Sequence, residues 1–306
     1  MHRFHHSDLV EQIKAASRES PLLYGTGQDF PKSRLQKLRT SQAWLKRDDE
    51  LSFMISGPKF RKLCGMSKIL EANERLASWG SSRSAFLFAL AGQAKTLGKT
   101  LDLFLLESTP WQNKGADKLY RAVFEEHRLT FVPRHEWANV KDRMPADARV
   151  IPEGGVGEEA LFGAMSLGLD LAEQLERLNL KPKKVWIDAG TGLTAKALIW
   201  SLGTLMPDPP EVQVVLCAGD EKTFAESLIT EHYIIAPYKL HRPPTARSYG
   251  STNQTIFKTI DRYLKDETVL LDPIYTAKLL LSYEQEKGEG DIIIHSGGVL
   301  NNFGFD

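Results

Sequence analysis

The sequence has little cysteine, no excess of either charge and no long apolar run. Its 306 residues include two cysteines, Cys64 and Cys217, which are too far apart in the sequence for a metal-binding pair. Neither a disulfide framework nor a zinc site is therefore expected, and the expected location is the reducing cytoplasm. Thirty-nine basic residues balance thirty-nine acidic ones, so nucleic acid is not an expected partner. The longest apolar runs, such as residues 85–91, fall far short of the ~20 residues of a membrane span. The first residues lack an apolar segment, so no secretory signal is predicted.

The length and the apolar periodicity indicate an α/β protein of about two domains, since a domain takes roughly 150 residues. Short apolar runs alternate with segments of helical spacing, which favours a parallel sheet because parallel strands need crossover helices. The predicted strands are 43–46, 101–106, 129–133, 149–151, 184–188, 212–218 and 291–295. The predicted helices are 60–78, 84–97, 114–127, 158–178, 194–205, 221–231 and 275–286. Residues 233–255 are predicted to form a long functional loop.

The stretch 185–195, VWIDAGTGLTA, indicates an anion-binding turn between a strand and a helix. Its glycines allow close backbone approach, its threonines add hydroxyl donors, and the helix start offers free N–H groups. The predicted ligands are Gly190, Thr191, Gly192, Leu193 and Thr194. Two alternatives stay open. One is a tight turn without a ligand, and the other is a dinucleotide site of the G-x-G-x-x-A type with Asp220 on the ribose.

Three further turns have a similar setting. Lys59 stands at a predicted helix start in a basic cluster, where a cation is disfavoured and a neutral amine would be a better nucleophile. The glycines of 154–157 follow a predicted strand, as do those of 295–298, HSGG. Because ligands of open α/β sheets bind beyond the carboxyl ends of strands, these turns are predicted to converge with the 190–194 turn.

Taken in order, these elements resemble the fold type II pyridoxal-phosphate enzymes, specifically the aminocyclopropane-carboxylate deaminase and D-cysteine desulfhydrase family. KRDD at 46–49 and GPKFRKL at 57–63 are similar to that family's K-R-[ED]-D and G-N-K-x-R-K-L. LDPIYTAK at 271–278 closely matches L-D-P-V-Y-[TE]-G-K, and HSGG at 295–298 is similar to H-T-G-G. The pair Tyr249-Gly250 resembles a tyrosine–glycine pair near the substrate. The resemblance covers nearly the whole chain.

The resemblance implies two open, twisted, mostly parallel sheets flanked by helices. It implies a larger cofactor-binding domain of residues 1–63 plus 153–306, a smaller domain of residues 64–152, and a homodimer. The cofactor would be pyridoxal 5'-phosphate, bound covalently to Lys59, with its phosphate in the 190–194 turn and its pyridine nitrogen facing the Ser296 hydroxyl. The other catalytic residues would be Ser84, Tyr249 and Tyr275.

The implied function is that of a lyase or deaminase of a small amino acid. D-Cysteine is favoured over the cyclopropane substrate because Thr276 stands where the deaminases tend to have glutamate. The released Lys59 amine would take the α-proton, and β-elimination with hydrolysis would yield a keto acid, ammonia and sulfide. A neutral hydroxyl such as that of Ser296 is expected to leave the pyridine nitrogen largely unprotonated.

Several positions depart from the family pattern. Where the family has G-x-x-Q-S-N, this chain has GSSRSA at 80–85, so Arg83 replaces glutamine and Ala85 replaces the asparagine that bonds the cofactor O3′. Pro58 replaces the asparagine before the lysine, and Val156 and Gly157 replace a polar pair. A drifted or non-catalytic relative that still binds the cofactor is therefore one alternative. A nicotinamide-dependent oxidoreductase built on residues 190–195 is another.

Overall fold

The computed structural model describes residues 4–55, 57–286 and 288–304, and within them ten strands form two sheets. The strands are β1 Leu35–Lys37, β2 Trp44–Lys46, β3 Arg75–Ser81, β4 Thr100–Leu106, β5 Arg128–Val132, β6 Arg149–Ile151, β7 Lys184–Ala189, β8 Glu211–Leu216, β9 Tyr238–His241 and β10 Ile292–Ile294. The large sheet has the order β1-β2-β10-β7-β8-β9, and the small sheet has the order β5-β4-β3-β6. The β1–β2 pair is antiparallel and every other pairing is parallel.

Nine α-helices are found in the same residues, and most of them connect parallel strands. They are α1 His6–Ser17, α2 Pro58–Ala72, α3 Ala85–Thr96, α4 Gly115–Phe124, α5 Glu158–Arg177, α6 Leu193–Leu205, α7 Glu221–Glu226, α8 Gln254–Glu267 and α9 Thr276–Gln285. No helix in the described part of the chain is both long and apolar enough to cross a bilayer.

Helices cover both faces of the large sheet. Successive strand residues point to opposite faces, so Val185 and Ile187 belong to the core shared with α5 and α6. Trp186 faces the other way, toward α8 and α9, where its ring lies 5.8 Å from that of Tyr283. Burial on both faces explains why these strands are almost continuously apolar. The fold predicted from the sequence, two mostly parallel sheets flanked by helices, is confirmed.

The small sheet is built from one continuous stretch of chain. Its strands lie between residues 75 and 151, whereas the large sheet takes strands from both sides of that stretch. This supports the predicted division into 1–63 plus 153–306 and 64–152, which stays a prediction. Residues 1–3, 56, 287 and 305–306 of those ranges lie outside the described residues.

The prediction of a helix over 60–78 was wrong at its end. The helix stops at Ala72, Asn73 is extended with φ −118° and ψ 125°, and Arg75–Ser81 form β3 between β4 and β6. Residues 76–80 are buried without alternation, and an apolar run of that kind does not distinguish a strand from a buried helix.

The predicted loop over 233–255 was also wrong in part. Tyr238–His241 form β9, which pairs in parallel with β8 at the edge of the large sheet. Pro237 directly precedes this strand, a position that proline tolerates because an edge strand need not donate every N–H. The predicted helix over 221–231 ends earlier, at Glu226. The sequence reasoning did not identify α1, α8 or β1.

A buried ionic cluster ties α2 to the large sheet and to α5. We define the ionic cluster as Lys46, Asp48, Arg61 and Asp170, all of them at most 1% exposed. The Arg61 guanidinium donates to both carboxylate oxygens of Asp48, at 2.6 and 2.7 Å, and to Asp170 at 2.9 Å. Lys46 donates to the same Asp170 carboxylate. Burial alone would raise the pKa of Asp48, but Arg61, together with Lys46 and Ser33, more than offsets it, so that pKa is lowered.

We predict that Arg61→Met lowers the free energy of unfolding by about 3–5 kcal/mol, because it leaves two buried carboxylates without their shared cation. Urea denaturation measures the loss. The matched control is Arg121→Met, which breaks an ion pair with Glu125 that is about half exposed and should change stability little. Equal effects of the two substitutions would contradict the assigned importance of the ionic cluster.

Candidate active site

The glycine-containing turns singled out in the sequence come together between the large sheet and Gly154, which follows β6 of the small sheet. Gly57, just before α2, has φ +64°, and a Cβ on it would lie 1.9 Å from the Ser296 carbonyl oxygen after β10. Only glycine allows this contact. A Cβ on Gly154 would lie 3.2 Å from the Thr191 methyl carbon. Ser296 also bonds Asp188 at the end of β7, just before Thr191, so the turns at 57, 154, 191 and 296 form one site.

Lys59 is the second residue of α2 and lies partly buried within this site. Its Nζ is 5.7 Å from the centroid of the Tyr275 ring. Burial lowers the pKa of the Lys59 amine, and the carboxylates of Asp188 and Asp272 oppose that shift. The helix N-terminus also disfavours a cation. Lys59 is therefore closer to a neutral, nucleophilic amine than a surface lysine is.

The 190–194 turn has the backbone of an anion site. It joins the end of β7 to the start of α6, and Gly192 is the N-cap with a left-handed φ of +84°. The first N–H groups of a helix have no partners within the helix and lie at the positive end of its dipole. Backbone donors are thus available here to a phosphate-sized anion.

Two lysines beside this turn were missed by the sequence reasoning. Lys62 is 6% exposed, and its Nζ donates to the Gly154 carbonyl at 2.8 Å. Burial, together with the nearby charges of Lys59 and Lys196, lowers the pKa of Lys62 to about 7. Lys196 is partly buried in α6, with Cε 3.8 Å from a Cβ built on Gly192. A bound anion would relieve this repulsion between cations. Helical spacing was the available signal, because Lys62 lies one turn after Lys59.

Tyr275, whose ring lies near Lys59, is paired with Tyr249. Tyr275 is the N-cap residue of α9, and its hydroxyl lies 3.3 Å from that of Tyr249. A Cβ on Gly190 would be 3.2 Å from the Tyr275 hydroxyl, so this ring borders the anion turn. Burial raises the pKa of Tyr275 well above its usual value, which keeps the phenol protonated. Tyr249 is 65% exposed, at the mouth of the site.

Ser84 and Ala85 begin the helix on the small-domain side. Ser84 is the N-cap of α3, and its hydroxyl oxygen accepts a hydrogen bond from the Leu87 N–H at 3.3 Å. Ala85 lines a small cavity together with Lys59, Phe88 and Asn301. Ser84 is therefore placed beside the Lys59 cavity through its neighbour in the chain.

Two of the remaining departures from the family pattern, Arg83 and Pro58, have structural roles of their own. Arg83 makes a two-pronged ion pair with Asp117, with distances of 2.7 and 2.8 Å, which ties the end of β3 to α4. Pro58 is the first residue of α2, a position that suits proline. Val156 is 48% exposed. Arg83 is thus engaged with the protein rather than free for a ligand.

Ser296 has a buried partner that the sequence reasoning did not single out. Its hydroxyl donates to the Asp188 carboxylate at 2.6 Å, and Asp188 is only 9% exposed. Burial raises the pKa of Asp188 to about 6. The available signal was an acidic residue inside the apolar strand 184–189, since a buried carboxylate is costly unless it is paired.

A larger cleft of about 680 Å³ lies elsewhere, at the carboxyl edge of the small sheet. It is lined by residues that include Trp111, Phe131 and Ser108, and none of the sequence-predicted site residues is among them. The candidate site is therefore the smaller cavity at Lys59, because the titratable groups with perturbed pKa values converge there.

The two-sheet architecture is the fold of the type II pyridoxal-phosphate enzymes. A solved structure of an ACC deaminase homologue superimposes with a TM-score of 0.74 at 23% identity, covering 96% of this chain and 97% of that one. No protein-family model matches the chain.

The sequence relatives are of the same kind. A D-cysteine desulfhydrase of Serratia proteamaculans is 25% identical over 303 residues, which cover 89% of this chain and 91% of the relative. A putative 1-aminocyclopropane-1-carboxylate deaminase of Pyrococcus horikoshii is 25% identical over 285 residues and 86% of each chain. The resemblance inferred from the sequence motifs is confirmed.

We predict that Gly192→Val weakens binding of pyridoxal phosphate, because valine is strained at φ +84° and its Cβ would meet the Phe224 ring at 3.1 Å. Left-handed backbone costs a non-glycine residue about 1–2 kcal/mol. The matched control is Gly98→Val, at φ +68° with open space around it and outside the site. Titration of the folded proteins with the cofactor should show loss of affinity for Gly192→Val alone, and equal affinities would overturn the placement of the phosphate.

Proposed function

We propose that this protein is a pyridoxal-phosphate-dependent lyase of a small amino acid, with D-cysteine as the favoured substrate. The observation that carries the proposal is the Lys59 amine, whose pKa is lowered by burial and which shares one site with the 190–194 anion turn. Relatives named D-cysteine desulfhydrase and ACC deaminase, matched over nearly the whole chain, support it.

The residues present fit pyridoxal phosphate at three points. Lys59 offers an amine for the cofactor aldehyde, and the 190–194 turn offers backbone N–H groups for its phosphate, with Lys62 and Lys196 beside them. Ser296 offers a hydroxyl for the pyridine nitrogen. Burial lowers the pKa values of both Lys62 and Lys196, and a bound dianion would favour their charged forms.

When bound, the cofactor supplies an electron sink for negative charge at the substrate α-carbon. Lys59 would be the base for the α-proton, because burial favours its neutral form. Tyr275 keeps its proton, since burial raises its pKa, so its hydroxyl acts as a hydrogen-bond donor rather than as a base. Loss of thiolate from the β-carbon and uptake of one water would then yield a keto acid, ammonia and sulfide.

Ser84 is suited to hold the substrate carboxylate. Its oxygen already accepts from the Leu87 N–H, which leaves the hydroxyl proton for an outside acceptor. The N-terminus of α3 adds the positive end of a helix dipole. Both features favour an anionic group next to Ala85 and the Lys59 cavity.

D-Cysteine is preferred to the cyclopropane substrate because of Thr276. This residue is 1% exposed, and its hydroxyl lies 2.8 Å from an Asp272 carboxylate oxygen, where a glutamate side chain would not be tolerated without rearrangement. An ACC deaminase activity is the second candidate, supported by the P. horikoshii relative and by the solved homologue.

A nicotinamide-dependent oxidoreductase and a non-catalytic relative have less support. The oxidoreductase needs Asp220 for a ribose, but this carboxylate caps α7 by accepting from the Thr223 N–H at 2.8 Å, and the relatives are lyases and deaminases. The alternative of a non-catalytic relative that has diverged from the family is supported by the departures at Ala85, Val156 and Gly157.

We further propose that the protein is a homodimer located in the cytoplasm. The homodimer is what the resemblance to the family implies, and the cytoplasm is inferred from the low cysteine content.

We predict that reduction of the holoprotein with borohydride attaches the cofactor to Lys59, because burial favours the neutral amine there and the anion turn lies beside it. Mass spectrometry of peptides locates the adduct. Lys59→Ala should lose it and should also lose sulfide and keto-acid release from D-cysteine, by about a hundredfold to ten-thousandfold as expected for a missing base. An adduct on another lysine, Lys62 included, would refute the assignment.

We also predict that Ala85→Asn tightens cofactor binding up to about tenfold and raises turnover of D-cysteine. The new amide would restore a hydrogen bond that contributes about 0.5–1.5 kcal/mol. Cofactor titration and sulfide release are measured on both proteins, with the exposed Ala72→Asn in α2 as control. If neither quantity changes, another group such as the Asn301 amide already fills the role, or residues 80–86 do not line the site.

A further inference from the structure

The Ser296 hydroxyl is oriented by a buried carboxylate. Ser296 Oγ donates its proton to Asp188 Oδ1 at 2.6 Å, and the two residues are 5% and 9% exposed. The pair spans neighbouring strands, because Asp188 lies in β7 and Ser296 directly follows β10. Asp188 therefore holds the Ser296 hydroxyl, which the proposed function assigns to the pyridine nitrogen.

Asp188 is available as a proton acceptor at neutral pH although its surroundings raise its pKa. The groups facing it are the Asp272 carboxylate, the Lys59 amine and the His295 ring, with Cys217 and Tyr275 also within electrostatic reach. Asp272 is itself held by the backbone N–H groups of Ile274, Tyr275 and Thr276 at 2.8 to 2.9 Å. Burial and the Asp272 charge raise the pKa of Asp188 to about 6, so it is largely ionised at neutral pH.

The single proton of the Ser296 hydroxyl decides whether this residue donates a hydrogen bond to a ligand or accepts one from it. A hydroxyl has one proton to donate and two lone pairs to accept with. Because Ser296 gives its proton to the Asp188 carboxylate, it presents a lone pair to the site. A neutral pyridine nitrogen, which also offers a lone pair, would have to take that proton and leave a buried carboxylate without it. A protonated nitrogen instead donates to Ser296 and leaves the Asp188 bond intact.

We propose that Asp188 is a positioning residue that acts through Ser296 to make this chain hold the pyridine nitrogen of its cofactor in the protonated form. The inference rests on the proposed function. It reverses the expectation from the sequence, where the hydroxyl alone leaves that nitrogen unprotonated. A protonated ring is the stronger electron sink, so Asp188 strengthens withdrawal of charge from the substrate α-carbon.

The test is nitrogen NMR of the holoprotein loaded with pyridoxal phosphate labelled at the ring nitrogen. The wild-type signal is expected in the pyridinium range at neutral pH. Asp188→Asn, which keeps the size but removes the charge, should move it to the neutral pyridine range, and Ser296→Ala should do the same by breaking the pair from the other side. Asp220→Asn removes an exposed carboxylate and can still cap α7, so its signal should match wild type.

A second readout starts from the cofactor-free protein and follows the change on loading. Carbon NMR of the Asp188 carboxyl group should show a pKa near 6 in the free protein and a lower pKa after loading, because a cationic N–H then faces the pair.

The outcomes separate the two proposals. A wild-type holoprotein with a neutral ring nitrogen overturns the role of Asp188, as does a pyridinium signal unchanged in both Asp188→Asn and Ser296→Ala. Those results leave the proposed function standing, since the cofactor is bound. Absence of any cofactor absorbance or Lys59 adduct overturns the proposed function and this inference with it.

Discussion

The site depends first on the pairing of Arg61 with Asp48 and Asp170. These three buried charges join the start of α2, the turn after β2 and the middle of α5. A buried ion pair need not add net stability, but removal of one partner leaves an unpaired charge in a medium that solvates it poorly. The arrangement therefore has little freedom to shift. It sets the position and rotation of the helix on which Lys59 lies two residues before Arg61.

Helix α2 carries residues that stabilise the fold and residues of the candidate site at neighbouring positions. Lys59 faces Tyr275, Arg61 bonds the other members of the ionic cluster, and Lys62 reaches the Gly154 carbonyl near the anion turn. Since successive helical residues point in directions about 100° apart, one helix can serve three surroundings at once. The contact between Gly57 and the Ser296 carbonyl then joins the start of this helix to the turn after β10.

The charged groups of the site illustrate how a tertiary environment selects protonation states. Lys59 and Lys62 have lowered pKa values, whereas those of Asp188 and Tyr275 are raised, and burial is the first cause in each case. These shifts favour the neutral forms of Lys59 and Tyr275 and bring the pKa of Lys62 to about 7 and that of Asp188 to about 6. Lys59 is thereby suited to take a proton from a substrate, whereas Tyr275 keeps its proton and Asp188 acts through Ser296.

The sequence by itself determined the α/β class, most parallel strands, the glycine turns and the motif order that indicated the family. These are local signals, because periodicity and turn chemistry are carried by neighbouring residues. It did not reveal β3, whose unbroken apolar run suits helix and strand equally, nor β9, which is defined by pairing with β8. Lys62 and Asp188 were in the quoted stretches, yet their chemistry depends on partners such as Lys196 and Ser296, 134 and 108 positions away. Only the tertiary structure decided those contacts, because burial and distance set a pKa and neither is encoded in local pattern.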